Sequence, residues 1–192
     1  MRSVLITLSL ASVLAPVRGT TLERLPLDVM AEKSTAIVRA KVVGSSGVLR
    51  GADVYTVYRI EIVESWKGSR PVTATVRGLP EGSGKSNPVQ VAVPGGVAGG
   101  FRQLVAGAPS LHVGEEYVMF LWTSRSGLTQ LMGLSQGLFN VKRSAAGDAA
   151  AMRAASGELM LDSSGHAVKD EAVSMKLSEL KAQVNRALSG EK

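Results

Sequence analysis

The stretch VPGGVAGGFRQLVAGAPSLHVGEEYVMFLW, residues 93–122, decides the architecture expected for this chain. Its paired glycines permit positive φ angles or close backbone approach, and Pro109 cannot continue a helix. The stretch therefore predicts a long loop whose path is set by its glycines and proline. The loop leads into a strand at residues 117–122, and a continuous apolar run of this kind is typical of a strand buried on both faces. Because such long loops are uncommon in compact domains and often carry binding surfaces, this loop is the first candidate for a functional site.

The centre of the loop holds the candidate binding residues. Phe101 next to Arg102 on a glycine-shaped loop has the composition of a protein interface hot spot. The alternative is that Phe101 is a core residue that fills the end of a barrel. The candidate partner-binding residues are Gly95, Gly96, Gly99, Gly100, Phe101, Arg102 and Gln103.

The N-terminus has the pattern of a secretory signal. A short positive end at Arg2 precedes an apolar run over residues 4–15, and small residues lead to an expected cleavage near Gly19. The run is shorter than the ~20 residues that span a bilayer. A buried N-terminal helix is the alternative. We expect a secreted or periplasmic protein without a membrane span, whose mature chain forms one domain over residues 20–192.

Charge and cysteine content limit the possible functions. Removal of Arg2 and Arg18 with the signal would lower the formal charge from +6 to +4, which is a mild excess. The chain contains no cysteine, so its core must stabilise the fold without disulfides. No metal or cofactor is expected, because there are only two histidines and the vicinal Glu115 and Glu116 point opposite ways in a strand.

Periodicity predicts a mainly β protein with a helix at each end. A short helix is expected over residues 26–33, and Leu177, Leu180, Val184 and Leu188 mark one face of a C-terminal amphipathic helix. In residues 36–43 and 54–65, apolar and charged residues alternate, which predicts strands with one solvent-exposed face. The two strands are expected to be antiparallel neighbours. Further strands are expected at residues 72–76, 89–93, 117–122, 128–134 and 138–142.

Two segments do not follow these periods. The polar residues 79–88 are expected to form a surface insertion between strand pieces. Residues 144–156 are rich in Ala and Gly without a clear period, which favours a mobile loop or a marginal helix.

The order of these elements resembles netrin-like domains, OB-fold modules that include the tissue inhibitors of metalloproteinases. The resemblance is carried by STAIVRAKVV at residues 34–43, the run over 58–68 that ends in Trp-Lys-Gly, and VGEEYVMFL at residues 113–121. The Gly-Gly, Arg-Gln and Gly-Leu-Ser-Gln-Gly elements also resemble those of uncharacterised secreted bacterial proteins of the same plan. The likeness spans about residues 22–141.

The resemblance implies an OB-like fold but not the chemistry of those inhibitors. Netrin-like inhibitors present an N-terminal cysteine whose amino group reaches a protease zinc, and this chain has no cysteine. A co-secreted protease is therefore a partner by analogy only.

GLSQG at residues 133–137 matches the G-x-S-x-G nucleophile elbow, with Asp162 and His166 following in the order of a hydrolase. An elbow needs a parallel strand before the serine and a helix after it, whereas residues 138–141 have the pattern of another strand. A glycine-flanked strand junction is the preferred interpretation, and a small serine hydrolase using Ser135 is the alternative.

Two further motifs have plainer interpretations. GSGKS at residues 82–86 resembles the end of a phosphate-binding loop, but the first glycine would fall at Leu79, and Pro88 precedes a strand pattern. The S-x-x-K match at Ser178 and Lys181 lies in the terminal helix, without companion motifs. A solvated turn and a solvent-facing helix are expected instead.

OB-folds often bind single-stranded nucleic acid through a basic groove with stacking aromatics. Arg39, Lys41, Arg59 and Lys67 could form such a face, with Trp66 or Tyr55 nearby. A polar solvated sheet face is preferred, because the charge excess is mild and no aromatic ladder is interleaved.

The combined prediction is an exported, non-catalytic binding module with an OB-like, five- to six-stranded antiparallel barrel and flanking helices. Its partner is expected to be a secreted or envelope protein, contacted through the glycine-rich loop over residues 95–109.

Overall fold

A computed structural model describes residues 21–68, 89–144 and 147–190. The predicted signal segment, the predicted strand at 72–76, the predicted insertion at 79–88 and the phosphate-loop match at 82–86 lie outside these residues.

The described part of the chain is mainly β, with a short helix near its start and a second helix near its end, as predicted. In chain order the elements are β1 (Thr21–Glu23), α1 (Leu27–Lys33), β2 (Ala36–Arg50), β3 (Asp53–Lys67), β4 (Val89–Pro94), β5 (Gly96–Ala98), β6 (Phe101–Gln103), β7 (Glu116–Thr123), β8 (Thr129–Leu131), a 3₁₀ helix (Leu134–Gly137), β9 (Leu138–Arg143), β10 (Ala149–Arg153), β11 (Leu159–Leu161), β12 (Ala167–Val168), β13 (Val173–Lys176) and α2 (Leu177–Ser189).

Most of the strands join one large sheet in the order β13-β10-β9-β7-β2-β3-β4-β8. The predicted antiparallel neighbours β2 and β3 form its long central hairpin, which is closed at the Arg50–Asp53 pair. Two smaller sheets accompany it: β5 with β6, and β1 with β11 and β12. The β5–β6 pair is the part of the predicted loop that matters for the site.

The strands of the described residues do not form the expected closed antiparallel barrel. One edge of β7 is divided, because residues 116–119 pair with β9 and residues 121–123 pair with β8. Strand β8 in turn meets β4 through the single parallel pair Ala92–Gln130. The sheet therefore continues outward through β9, β10 and β13 instead of closing evenly on itself.

The central strands are buried on both faces, so the sheet separates two apolar clusters. One cluster gathers Val38, Val42, Ile60, Val91, Met119 and Leu121. The other lies beneath the two helices and gathers Met30, Ile37, Phe120, Phe139, Leu180 and Val184. The predicted double burial over residues 117–122 is confirmed for Tyr117 to Leu121, but Trp122 is half exposed.

Helix α1 begins after Pro26 and places Asp28 in its first turn and Lys33 in its last, where each charge complements the helix dipole. The helix ends where Ser34 donates from both its N–H and its hydroxyl to the carbonyl of Met30.

In α2, Leu177, Leu180 and Val184 are buried as predicted, whereas Leu188 is exposed. Among the described residues, no helix is long and apolar enough to cross a membrane.

The expectation of a loop or marginal helix over residues 144–156 is wrong for residues 149–153. Strand β10 pairs with β9 on one side and with β13 on the other. Its alanines carry little strand preference of their own, so the strand forms because it lies between two partners. The predicted strand at 128–134 is also shorter than expected, because β8 ends at Leu131 and a turn follows.

Candidate functional site

The candidate residues in the 95–109 loop form a β-hairpin at the start of the predicted loop. Strands β5 and β6 pair antiparallel through Gly96–Gln103, Val97–Arg102 and Ala98–Phe101. The connecting Gly99 and Gly100 have φ angles of +57° and +79°. Positive φ at both central residues is the requirement of the tight two-residue turn that suits the twist of a hairpin.

Three hydrogen bonds tie the hairpin to β3. Gly95 donates its N–H to the carbonyl of Val54 at 2.7 Å, and the Thr56 hydroxyl donates to the carbonyl of Gly95 at 2.9 Å. The N–H of Val54 donates to the side-chain oxygen of Gln103, also at 2.7 Å. Gly95 and Gln103, two of the candidate residues, thus attach the hairpin to β3.

The other side of the hairpin packs against β2. A Cβ placed at Gly47 would lie 1.8 Å from the carbonyl oxygen of Val97, so only glycine allows this approach. At the tip, the Leu49 and Phe101 side chains both lie within 4 Å of the Cβ position at Gly99. The hairpin is therefore fixed on the end of the β2–β3 hairpin.

The fixed hairpin presents an apolar surface to solvent. Phe101 and Val97 are each 63% exposed, and Leu104, just beyond β6, is 82% exposed. Leu49 on β2 adds a further exposed side chain at the tip. We call Leu49, Val97, Phe101 and Leu104 the hairpin patch; Val97 shares one face of the hairpin with Arg102, and Phe101 projects from the other face near Leu49. The alternative that Phe101 fills the end of a barrel is wrong, because its side chain is outside the core.

Arg102 supplies the charge at this surface. It is exposed, and the described residues form no salt bridge with it. An arginine beside exposed apolar side chains can bind a planar carboxylate without first giving up another partner.

Two of the four cations on the basic sheet face that nucleic acid would need are held by contacts within the protein. The Arg39 Nε lies 3.4 Å from a Glu64 oxygen and 3.3 Å from a Glu116 oxygen. The Lys67 ammonium donates to the carbonyls of Ala31 and Glu32 near the end of α1. These two cations therefore have structural partners, and Trp66 packs on the helical side of the sheet.

In the GLSQG segment the structural residue is Gln136. Its buried side chain accepts from the N–H of Leu25 and donates to the carbonyl of Glu23, both at 2.8 Å. It thereby fixes the chain between β1 and α1. Ser135 lies in the 3₁₀ helix, and a strand follows directly, as the sequence pattern predicted.

Ser135 lines a cleft of about 480 Å³ together with His112, Glu115 and Asn140. Within the described chain, no hydrogen bond connects the Ser135 side chain to His112 or to Glu115. Asp162 and His166 are not among the residues that line this cleft. They form the turn between β11 and β12, where His166 donates its N–H to the Asp162 carboxylate.

The carboxylate of Glu115 is held by three donors. Lys142 Nζ lies 2.6 Å from one oxygen, and the Tyr117 hydroxyl and the Asn140 amide donate to the other at 2.7 and 2.8 Å. The bond from Lys142, followed by that from Tyr117, lowers the pKa of Glu115 to about 2. Burial is the main cause of the raised pKa of Tyr117. These three hydrogen bonds fix the chain immediately before β7.

Across the described ranges, no group of three or more histidine, aspartate or glutamate side chains is placed to hold a metal ion. The S-x-x-K residues lie in α2, where Ser178 is exposed and the Lys181 ammonium donates to Glu64.

Sequence patterns alone did not identify Leu49, Val97 and Leu104 as members of the surface. A local signal was present, since two glycines between short apolar segments are typical of a two-residue hairpin turn. Applied to Gly99 and Gly100, this rule predicts β5 and β6. The contribution of Leu49 has no such signal, because it depends on the packing of one hairpin on another.

No protein-family model matches the chain, and a search of curated proteins finds no match.

Proposed function

We propose that this protein is an exported, non-catalytic binding module that contacts a protein partner through the β5–β6 hairpin. The observation that carries the proposal is the hairpin patch, in which Val97, Phe101 and Leu104 are more than half exposed on a firmly attached element. Exposed apolar clusters of this kind favour association. A surface that is already ordered loses little conformational entropy when it binds.

The chemistry of the patch specifies its partner. Aromatic and aliphatic side chains fill apolar pockets, and Arg102 complements a carboxylate at the rim of such a pocket. We therefore propose a protein surface with an apolar depression bordered by an aspartate or glutamate. Within the proposal the partner is secreted or lies in the cell envelope, and a co-secreted protease is the leading candidate by analogy with the netrin-like inhibitors.

The strand order supports an OB-like plan for the core. The path β7-β2-β3-β4-β8 returns to β7, and the β4–β8 contact is parallel while the other contacts in the path are antiparallel. OB-folds are five-stranded, partly open barrels of mixed connectivity. We propose that β9, β10 and β13 extend such a core, so that the hairpin lies between its third and fourth strands.

The test is capture of partners from the secreted and envelope fractions of the producing organism. Mature protein from Thr20 is immobilised beside the Phe101→Ala, Arg102→Ala double variant and a matched surface control, Glu61→Ala with Arg125→Ala. We expect at least one protein to be retained by the parent and the control but not by the hairpin variant. The captured protein is then purified, and its affinity for the same three proteins is measured.

Equal retention by all three proteins contradicts the proposal, because the hairpin then makes no contribution. Binding through another face, such as the cleft beside Ser135, would also give equal retention by all three proteins.

A small serine hydrolase is the competing function, because Ser135 shares its cleft with His112. A general esterase assay that compares the parent with Ser135→Ala tests it. The binding proposal predicts no turnover by either protein. Turnover that disappears in Ser135→Ala would establish the hydrolase in its place.

A further inference from the structure

Among the described residues β6 pairs with β5 alone, so its outer edge carries main-chain groups that no strand there bonds. In a two-residue hairpin the pair next to the turn, here Ala98–Phe101, exchanges main-chain hydrogen bonds. The next pair, Val97–Arg102, is then a non-hydrogen-bonded pair, and its N–H and carbonyl groups point away from the hairpin on both sides.

The position of Val97 is consistent with this assignment. Its carbonyl oxygen faces Gly47 of β2, which places the outward groups of β5 on the side of the β2–β3 hairpin. The outward N–H and carbonyl of Arg102 therefore lie on the opposite edge of the hairpin, away from β2 and β3. Within the described ranges, β6 pairs with β5 alone, and no main-chain hydrogen bond outside the strand pairs involves Arg102.

An exposed apolar residue follows β6. Leu104 lies two residues after Arg102 and is 82% exposed, so an apolar side chain is accessible just beyond this edge. A free strand edge beside exposed apolar side chains is a template for pairing with another chain.

We infer that an extended segment of the partner protein adds to β6 as a third strand of the small sheet. In an antiparallel addition its main chain bonds to the N–H and carbonyl of Arg102, the residue opposite Arg102 is acidic, and the apolar residues on either side of it contact Phe101 on the other face. In this mode main-chain hydrogen bonds provide affinity and alternate side chains provide specificity. The inference rests on the proposed function and specifies how the hairpin binds.

A second copy of the chain fits this edge less well than an acidic segment does. Symmetric pairing of two β6 edges centred on Arg102 would place the two guanidinium groups opposite each other, and like charges directly opposite are destabilising. A charged side chain in the middle of an edge strand is a common means of preventing such self-pairing.

The test separates the main chain of Arg102 from its side chain. Arg102→Ala removes the charge but keeps the N–H, whereas Arg102→Pro removes both. The probe is a short fluorescent peptide in which valine alternates with glutamate and threonine, and binding is followed by fluorescence polarisation. We expect Arg102→Ala to weaken binding about tenfold and Arg102→Pro to weaken it about tenfold more.

A second measurement does not depend on the folding of a proline variant. The same peptide, N-methylated at its glutamate and threonine residues, cannot donate the hydrogen bonds of an antiparallel strand with glutamate opposite Arg102. We expect the parent protein to bind the unmodified peptide and to lose that binding, by about a hundredfold, with the methylated one.

Three outcomes overturn the inference: no binding of the unmodified peptide, equal binding of the methylated peptide, or equal affinities of the Arg102→Ala and Arg102→Pro variants. Each of these leaves the proposed function standing if partner capture still depends on Phe101 and Arg102. Failure of the proposed function is a different result, in which capture is unaffected by the double variant.

Discussion

The side-chain oxygen of Gln103 accepts a 2.7 Å hydrogen bond from the main-chain N–H of Val54. Val54 is buried, and its carbonyl accepts from Gly95, so the hairpin satisfies both main-chain groups of this β3 residue. Because unpaired buried main-chain groups are costly, the hairpin cannot move away from β3 without a loss of stability. The patch that we propose for binding is held in place by the same bonds that complete the sheet.

Gln103→Leu should destabilise the protein by about 1–3 kcal/mol, because it leaves the Val54 N–H buried without an acceptor. Chemical denaturation measures the loss, and hydrogen exchange should show faster exchange at the Val54 amide. Gln103→Glu is the matched control, since it keeps an acceptor oxygen. A leucine variant as stable as the glutamate variant would show that the bond has no role in stability.

Gly47→Ala should destabilise the protein by about 1–3 kcal/mol, because the new methyl group meets the Val97 carbonyl and must displace the hairpin from β2. Gly157→Ala is the control, since no atom lies within 4 Å of its Cβ position. Thermal unfolding of both variants measures the difference. Equal melting temperatures would mean that β5 is not packed on β2.

Glu115 should make stability depend on pH in the acid range. Its folded pKa, about 2, is below the ordinary 4.5, so the folded protein binds this proton less readily than the unfolded chain. The stabilisation is therefore complete above about pH 4.5 and is lost as the pH falls towards 2.

We expect Glu115→Gln to cost about 1 kcal/mol at neutral pH, a figure reduced for the partial exposure of the carboxylate. The difference from the parent should shrink below pH 4.5 when unfolding is measured across the acid range. Glu61→Gln, an exposed carboxylate, should change little at any pH. A constant difference between parent and Glu115→Gln from pH 6 to pH 2 would contradict the prediction.

Gln136→Leu should cost about 2–4 kcal/mol, because it leaves the Leu25 N–H and the Glu23 carbonyl without their partner. Ser135→Ala next to it should change stability by less than about 0.5 kcal/mol. Denaturant titration of the two variants compares them directly. A reversed order of effects would mean that Ser135 and not Gln136 is the structural residue of the GLSQG segment.

Local pattern in the sequence was enough for much of the fold. The spacing of Leu177, Leu180 and Val184 predicted α2, and the alternation around Tyr58 and Ile60 predicted β3 and the face it buries. These predictions succeeded because a period of 3.6 or 2 residues directly records which side chains leave water. The conformational freedom of glycine similarly marked Gly99 and Gly100 as a place where the chain must turn.

Only the tertiary structure decided which strands pair with one another and which apolar side chains are exposed. Strand β10 is held by β9 and β13, the edge of β7 is divided between β9 and β8, and Phe101 lies beside Leu49 instead of inside the sheet. Each of these depends on contacts between separate segments, and an apolar residue has the same local pattern whether another segment covers it or not. The sequence by itself determined both helices and the strongly periodic strands, because their periods are local, and packing between segments determined the remaining strands and which apolar side chains were left for a partner.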